Sequence, residues 1–206
     1  IGFIEVALGF KFLSTADMVY QWGLLDREIY IAIWIVIFAM LGFYLLGKLR
    51  FAHDEPLEYV SVPRLTLAIT VFSFVVYLIP GMFGAPLKAL AGYLPPMSTH
   101  DFVVSSDNPS LNDLTIVYDY EEGLELAKAE NKPLFIDVTG HGCVNCREME
   151  SRVWLDPKVF KILKEDYIIV ALYVDEKTPL SPDKWVTDAT SGRVYKDVGR
   201  ANSYLT

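Results

Sequence analysis

A run of about nineteen residues without a charge, Ile29–Gly47, constrains this chain more than any other feature of its sequence. The run is rich in Ile, Trp, Phe and Leu, and its length is close to the roughly twenty residues that an α-helix needs to cross a bilayer. Because a helix at the surface of a soluble domain keeps charged residues on its outer face, this composition predicts a membrane-spanning helix.

Two further apolar segments, residues 1–16 and 65–90, flank this run. The first contains Glu5 and Lys11 and is marginal in length for a bilayer span, so we interpret it as a truncated transmembrane helix. The last segment contains helix-breaking residues that predict a kink or break near its far end: Pro80, Gly81, Gly84 and Pro86. The expected architecture of residues 1–92 is therefore about three transmembrane helices.

Basic residues surround the connection between the second and third apolar segments: Lys48, Arg50, His53 and Arg64. Since basic loops stay on the cytoplasmic side, this connection is predicted to be cytoplasmic. The connection 17–28 and everything after residue 90 would then lie on the opposite side, which in a Gram-negative bacterium is the periplasm. In such a bacterium the predicted location is the inner membrane, with the C-terminal half in a compartment that permits disulfides.

The C-terminal half has a different composition from the apolar half. Residues 1–97 carry six Lys/Arg and seven Asp/Glu, whereas residues 98–206 carry twelve and nineteen. This acidic balance argues against binding to nucleic acid, which requires basic surfaces. A stretch rich in Pro, Ser and Asn, residues 93–111, predicts a linker, and a soluble domain is expected over residues 112–206.

The soluble domain contains two cysteines in a Cys-x-x-Cys motif directly after an apolar run. The run, Leu134–Val138, is of the type that forms a buried central strand. A four-residue turn containing two glycines separates it from Cys143. The residues from Cys146 onward predict a helix, with Met149 and Val153 on an apolar face.

This order places the two cysteines at the start of a helix, where unpaired N–H groups and the helix dipole favour a thiolate. We therefore expect Cys143 to titrate below a free cysteine and to attack disulfides. Cys146 would resolve the resulting mixed disulfide. Two alternatives remain: part of a zinc site with His141 as a further ligand, or two structural cysteines without redox function. With only two cysteines in the chain, a four-thiolate zinc site is excluded.

The elements predicted around the motif form an α/β unit. A helix over residues 120–131 precedes the strand, a short helix begins at Asp156-Pro157, and a second strand covers residues 167–174. Residues 178–188 are expected to be a loop, and no element is predicted over residues 192–206. Parallel strands with a helical crossover beside Cys-x-x-Cys are the signature of a thioredoxin-like domain.

Two acidic residues flank the motif. Asp137 lies in the predicted strand, and a buried carboxylate near a thiol can accept its proton; the alternative is a carboxylate that faces solvent. Glu150 follows Cys146 at a spacing of four residues, one helical turn, which predicts proximity. A solvated helix carboxylate is the alternative for Glu150.

The chain resembles the C-terminal part of the DsbD family of thiol:disulfide interchange proteins. Three features carry the resemblance: the apolar segments, the stretch from Pro80-Gly81 to Gly84-Ala-Pro-Leu87, and the segment from Asp137 to Gly142-Cys-Val-Asn-Cys-Arg-Glu-Met-Glu150. The last of these is the most specific. The resemblance implies a relay in which cytoplasmic thioredoxin reduces cysteines of a membrane domain, which in turn reduce a periplasmic thioredoxin-like domain.

The resemblance also implies roles for individual residues. Cys143 matches the attacking cysteine and Cys146 the resolving one, while Asp137 and Glu150 match two acids that tune cysteine reactivity and proton transfer. The chain departs from the family in lacking the membrane cysteine pair and the cis-proline segment of thioredoxin-like domains. We therefore expect a fragment of a longer protein, with upstream membrane cysteines before Ile1 and a C-terminally truncated thioredoxin-like domain.

The function predicted from the sequence is disulfide reduction through the Cys143–Cys146 dithiol, with no metal and no further cofactor. Its expected partners are the upstream membrane cysteines, periplasmic thioredoxin-like or cytochrome c maturation proteins, the family's own N-terminal domain and membrane lipid. Two alternatives stay open: an oxidase or isomerase with the same fold, and a membrane-tethered binding module with a static disulfide.

Overall fold

Three helices form the N-terminal half of the chain: α1 (Gly2–Tyr20), α2 (Arg27–Leu45) and α3 (Val62–Leu78). The computed structural model describes residues 2–52, 54, 56–85, 87–100 and 111–206. A buried cluster joins the three helices and the segment that follows them. Its members are Ala7, Tyr30, Ile31, Trp34, Leu78, Leu87 and Leu94.

Two stretches in the described part of the chain are long and apolar enough to cross a membrane, Arg27–Leu45 and Val62–Phe83. Only 28% of each apolar window is buried inside the protein, although a core helix of a soluble protein would be mostly buried. Length and composition thus hint at membrane association. The segment 1–16, which was also predicted to be a transmembrane helix, is not among these candidates, because α1 carries Glu5, Lys11 and Asp17.

Helix α1 continues beyond its predicted end at residue 16. The prediction of a polar connection starting at Asp17 was wrong, because Asp17 lies in the last helical turn and is 4% exposed. Its carboxylate accepts hydrogen bonds from the backbone N–H groups of Leu24 (3.0 Å) and Leu25 (3.1 Å). These bonds satisfy a buried charge and fix the path of the chain from α1 to α2.

The predicted break in the segment 65–90 is confirmed. Helix α3 ends at Leu78, a 3₁₀ segment covers Ile79–Phe83, and Gly84 has a φ of +88° that favours glycine. Pro86 lies outside the described residues. Within the predicted linker 93–111, Met97–Thr99 form a 3₁₀ turn, and residues 101–110 are likewise outside the described part.

The C-terminal half begins as an α/β unit. Its elements are β1 (Ile116–Val117), α4 (Tyr120–Glu130), β2 (Leu134–Thr139), α5 (Val144–Met149), a π-helical stretch (Glu150–Trp154), α6 (Pro157–Asp166) and β3 (Ile168–Tyr173). Both β1 and β2 pair with β3 in parallel, in the order β1-β3-β2. The pairing of β2 with β3 runs from Leu134 opposite Ile168 to Thr139 opposite Tyr173, with α5 and α6 as the crossover. The predicted α/β arrangement is therefore confirmed.

The prediction that the apolar run Leu134–Val138 forms a central strand was wrong. Strand β2 lies at the edge of the described sheet, with Ile136 and Val138 46% and 48% exposed. Strand β3 is central, and Ile168, Ile169 and Val170 are fully buried between α4 on one face and α6 on the other. An apolar, β-branched run identifies a strand, whereas its place in the sheet depends on which neighbours pair with it.

The last thirty residues contain two strands and an α-helix where none was predicted: β4 (Val186–Thr187), β5 (Val194–Tyr195) and α7 (Val198–Leu205). Strands β4 and β5 form an antiparallel pair. Helix α7 packs on β3, and the Asn202 side-chain amide donates to the Tyr173 carbonyl at 3.0 Å.

Helix α4 approaches the central strand so closely that position 123 must be glycine. A Cβ atom on Gly123 would lie 2.1 Å from Cγ2 of Val170. We expect Gly123→Val to lower the free energy of unfolding by about 1–3 kcal/mol, because overpacking displaces the helix from the sheet. Denaturant titration of the purified chain measures this loss. The matched control is Ala129→Val on the exposed side of the same helix, and an equal loss in both variants would contradict the packing argument.

Candidate redox site

Cys143 and Cys146 form a disulfide at the start of α5, with 5.3 Å between their Cα atoms. Cys143 is the N-cap residue, and its sulfur accepts a hydrogen bond from the backbone N–H of Cys146 at 3.2 Å. Helix α5 therefore begins at Val144, two residues before the predicted start. Both cysteines are partly exposed. A hydrogen bond from a helix N-terminus to this sulfur would stabilise a thiolate in the reduced form.

The turn that presents the disulfide is held from the neighbouring strand. Asp175 follows β3, and its carboxylate accepts the backbone N–H groups of His141 (2.9 Å) and Gly142 (3.0 Å). A Cβ atom on Gly140 would lie 2.9 Å from this carboxylate, so glycine is needed there. Because β2 and β3 are parallel, their carboxyl ends meet at one edge, where Asp175 can fix the position of the turn.

His141 is part of a polar cluster beside the turn. Its ring stacks on Tyr173 with 4.2 Å between the ring centroids, and its Nε2 lies 3.6 Å from Oε2 of Glu176. The interaction with His141 is the main cause that lowers the pKa of Glu176 below its ordinary value, against the effect of burial. In the part of the chain that the structure describes, no group of three or more His, Cys, Asp or Glu residues could hold a metal ion.

A buried ion pair lies on the inner face of the redox helix. Arg147, directly after Cys146, is 6% exposed, and Glu150 is 8% exposed. Nη1 of Arg147 lies 2.8 Å from Oε2 of Glu150, and Nη2 donates to the hydroxyl of Thr139 at 2.9 Å. The guanidinium also lies 5.9 Å from the centroid of the Tyr173 ring. These contacts compensate, in part, for removing both charges from water.

Burial shifts the pKa of the two carboxyl groups near Arg147 in the same direction. It raises the pKa of Glu150 to about 7, despite the nearby positive charge of Arg147, and the negative charge of Asp137 raises it further. Burial also raises the pKa of Asp137, and Arg147 again opposes the shift. Glu150 can therefore gain and lose a proton near neutral pH while it remains in contact with a permanent cation.

The structure brings both predicted acids to one cavity of about 230 Å³. The cavity is lined by Asp137, Glu150 and Arg147, together with Tyr118 and other residues of the sheet and the segment before it. Its volume admits several water molecules, which could bridge the carboxylates. The cysteines do not line this cavity, and Arg147 is the residue that connects it with Cys146 along the chain.

The sequence did not lead us to predict Arg147 as a residue of the site, and the prediction of which face of the redox helix is buried was wrong. Met149 and Val153, predicted on an apolar inner face, are 50% and 43% exposed. Arg147 and Glu150 are buried instead, beside Trp154. The spacing of three residues between a basic and an acidic side chain was the available signal for this pair. Trp154 lies in the core of the domain.

A family model described as thioredoxin-like matches residues 115–193, which include β1 to β4 and both cysteines. None of the curated proteins compared with the chain matches it. Residues 115–193 thus form a thioredoxin-like domain with mixed α/β content and a closely spaced cysteine pair, an arrangement consistent with thiol–disulfide redox activity.

Proposed function

We propose that this chain belongs to a membrane-anchored protein-disulfide reductase related to the DsbD family. One observation carries the proposal. In a thioredoxin-like domain, Cys143 caps the first turn of a helix, accepts the Cys146 N–H and is joined to Cys146 in a disulfide that is partly exposed. A static structural disulfide gains nothing from a position at a helix N-terminus, whereas a nucleophilic thiolate does.

In the proposed reaction, the reduced Cys143 thiolate attacks one sulfur of a partner disulfide and expels the other sulfur as a thiolate. Cys146 loses its proton and attacks the Cys143 sulfur, which breaks the mixed disulfide and re-forms the Cys143–Cys146 bond. The two electrons of the dithiol thus pass to the partner, whose two sulfurs take up protons. A second dithiol, from upstream membrane cysteines of the same protein, would reduce the domain again.

Glu150 and Asp137 are proposed to exchange the proton of Cys146 through water in their shared cavity. This assignment is supported by the raised pKa of both groups and by the position of Arg147 between Cys146 and Glu150. A pKa near the ambient pH is what a proton acceptor at neutral pH requires.

The proposed location is a bacterial inner membrane with the thioredoxin-like domain on the periplasmic side. The domain contacts the α1–α2 end of the helices, where the backbone N–H of Lys177 donates to the Val19 carbonyl at 2.9 Å. The basic connection between α2 and α3 leaves from the opposite end of α2. Cytoplasmic thioredoxin is the proposed ultimate donor, and periplasmic thioredoxin-like or cytochrome c maturation proteins are the proposed acceptors.

Trapping tests this function. A reduced Cys146→Ala variant mixed with insulin, a protein with accessible disulfides, should accumulate a mixed disulfide through Cys143, because the resolving thiol is missing. Mass spectrometry under non-reducing conditions detects the adduct. The Cys143→Ala variant is the matched control and should form far less of it. Equal yields from both variants, or none from either, would favour a static disulfide.

The direction of electron flow is tested by redox titration of the wild-type pair. A reductase needs a potential toward the reducing end of the range, near that of thioredoxin at about −270 mV. A value near about −120 mV, typical of a strong thiol oxidant, would support the oxidase alternative.

A further inference from the structure

The residue between the two cysteines rests on the N-terminal half of the chain. Val144 packs on Gly92. A Cβ atom added to Gly92 would lie 2.4 Å from Cγ1 of Val144. Gly92 is buried, and no positive φ demands glycine at this position. The absence of a side chain at position 92 therefore allows the turn that carries the two cysteines to approach the N-terminal half this closely.

One face of α1 extends this contact along the redox turn. Lys11, Thr15 and Val19 are spaced four residues apart and so lie on the same side of the helix. The Lys11 ammonium donates to the Gly92 carbonyl at 3.0 Å, and Cγ2 of Thr15 lies 3.5 Å from where a Cβ of Gly142 would be. The Val19 carbonyl, in the last turn of α1, accepts the hydrogen bond from Lys177.

A third contact lies on the other side of the redox helix. Nη2 of Arg152 donates to the Lys88 carbonyl at 3.4 Å, within the same short turn that ends at Gly92. We call the turn Lys88–Gly92, together with the α1 face formed by Lys11, Thr15 and Val19, the seat. The seat packs on Val144 and lies close to Gly142, and these two residues are the chain neighbours of Cys143.

We infer that the seat and a protein substrate compete for the same face of the thioredoxin-like domain. The inference rests on the proposed function for the identity of the substrate, a folded protein that carries a disulfide. Such a partner must bring a sulfur to Cys143, and its surface then occupies the space over Gly142 and Val144. The seat already fills part of that space, so the domain must leave the seat before it engages a protein.

The contacts are those of a reversible interaction. Single hydrogen bonds join the seat to the domain through Lys177 and Arg152, and Val144 is still 43% exposed above Gly92. Both cysteines are partly exposed in the seated state, so small reagents reach them without any movement. The seat therefore leaves the cysteines accessible to small thiol reagents and blocks the approach of macromolecules.

Alkylation with reagents of two sizes tests this inference. The reduced full chain in detergent is treated with N-ethylmaleimide, or with a maleimide that carries a long polyethylene glycol chain. We expect Gly92→Leu, whose side chain overlaps Val144, to raise the rate of the bulky reagent by about tenfold, with little change for the small one. Gly9→Leu is the matched control, because a Cβ on Gly9 meets no atom within 4 Å.

A second variant covers the case in which Gly92→Leu fails to fold. Arg152→Met removes the hydrogen bond from the domain to the Lys88 carbonyl of the seat, together with the exposed ion pair to Glu148, and we expect it to raise the rate of the bulky reagent by about threefold. A rate of bulky labelling in Arg152→Met equal to that of the wild type overturns the inference. So does an unchanged ratio of the two rates in a folded Gly92→Leu variant.

These results are independent of the proposed function. Labelling requires no disulfide partner, so a change of rate supports the seat even if trapping with insulin fails. Conversely, successful trapping with unchanged labelling would leave the reductase proposal in place and remove the seat.

Discussion

Arg147→Met is expected to lower the free energy of unfolding by about 3–5 kcal/mol above about pH 8, where Glu150 is ionised, which is the usual cost of breaking a buried ion pair. Arg147 is 6% exposed and lies 2.8 Å from Glu150, so its removal leaves a carboxylate inside the protein with no compensating cation. The substitution also leaves the Thr139 hydroxyl without its partner. Denaturant titration of the purified chain measures the loss.

Two controls separate the ion pair from general effects of the substitution. Arg200→Met removes an arginine with the same three-residue spacing from its partner, Asp197, but this arginine side chain is 64% exposed. Because exposed pairs contribute little, we expect a loss below about 1 kcal/mol there. The double variant Arg147→Met/Glu150→Met should recover much of the stability. A loss in Arg147→Met no larger than in Arg200→Met would contradict the burial argument.

Glu150→Gln is expected to remove a pH dependence of stability worth up to about 3 kcal/mol, as the shift of its pKa from 4.5 to about 7 implies. Between these two values, the folded state keeps a proton on Glu150 that the unfolded state has lost. The folded state therefore binds more protons, and the stability of the wild type falls as the pH rises from about 4.5 to 7. Glutamine mimics the protonated acid and cannot ionise.

Unfolding titrations of the wild type and Glu150→Gln at a series of pH values isolate this contribution as a difference curve. Glu176→Gln serves as a control of opposite sign. Because the pKa of Glu176 is lowered in the folded state, its contribution is present above the unfolded pKa and is lost as the pH falls. A difference curve for Glu150→Gln that is flat between pH 5 and 8 would show that its carboxylate ionises as it does in water.

In the reaction that we propose, these two residues would act in proton transfer as well as in stability. Arg147 positions Glu150 and keeps its pKa from rising further, so that the acid can still ionise near neutral pH. The same exchange of a proton that changes stability with pH would serve the deprotonation of Cys146. Substitution of Arg147 should therefore affect the pH profile of disulfide exchange, not only its rate at one pH.

Much of the fold followed from local patterns. The N-cap of α6 at Asp156 forms the expected side-chain to backbone bond, and the two strands on either side of the crossover lie where predicted. Such signals are readable because the interacting residues are close in sequence. The short elements after residue 186 were missed, since two-residue strands and an eight-residue helix have almost no periodicity to detect.

The sequence by itself determined the candidate redox motif: a cysteine pair at the point where a strand turns into a helix, with acids on both sides of it. Only the tertiary structure decided which face of that helix is buried. In the structure, Arg147 and Glu150 are buried and Met149 and Val153 are exposed. Strand β2 lies at the edge of the described sheet. The physical reason is that a residue's preference for helix or strand is set by its neighbours in sequence. Its burial depends on which residues from distant parts of the chain pack against it. Gly92 shows this most clearly, because its lack of a side chain has a consequence only where Val144 lies against it.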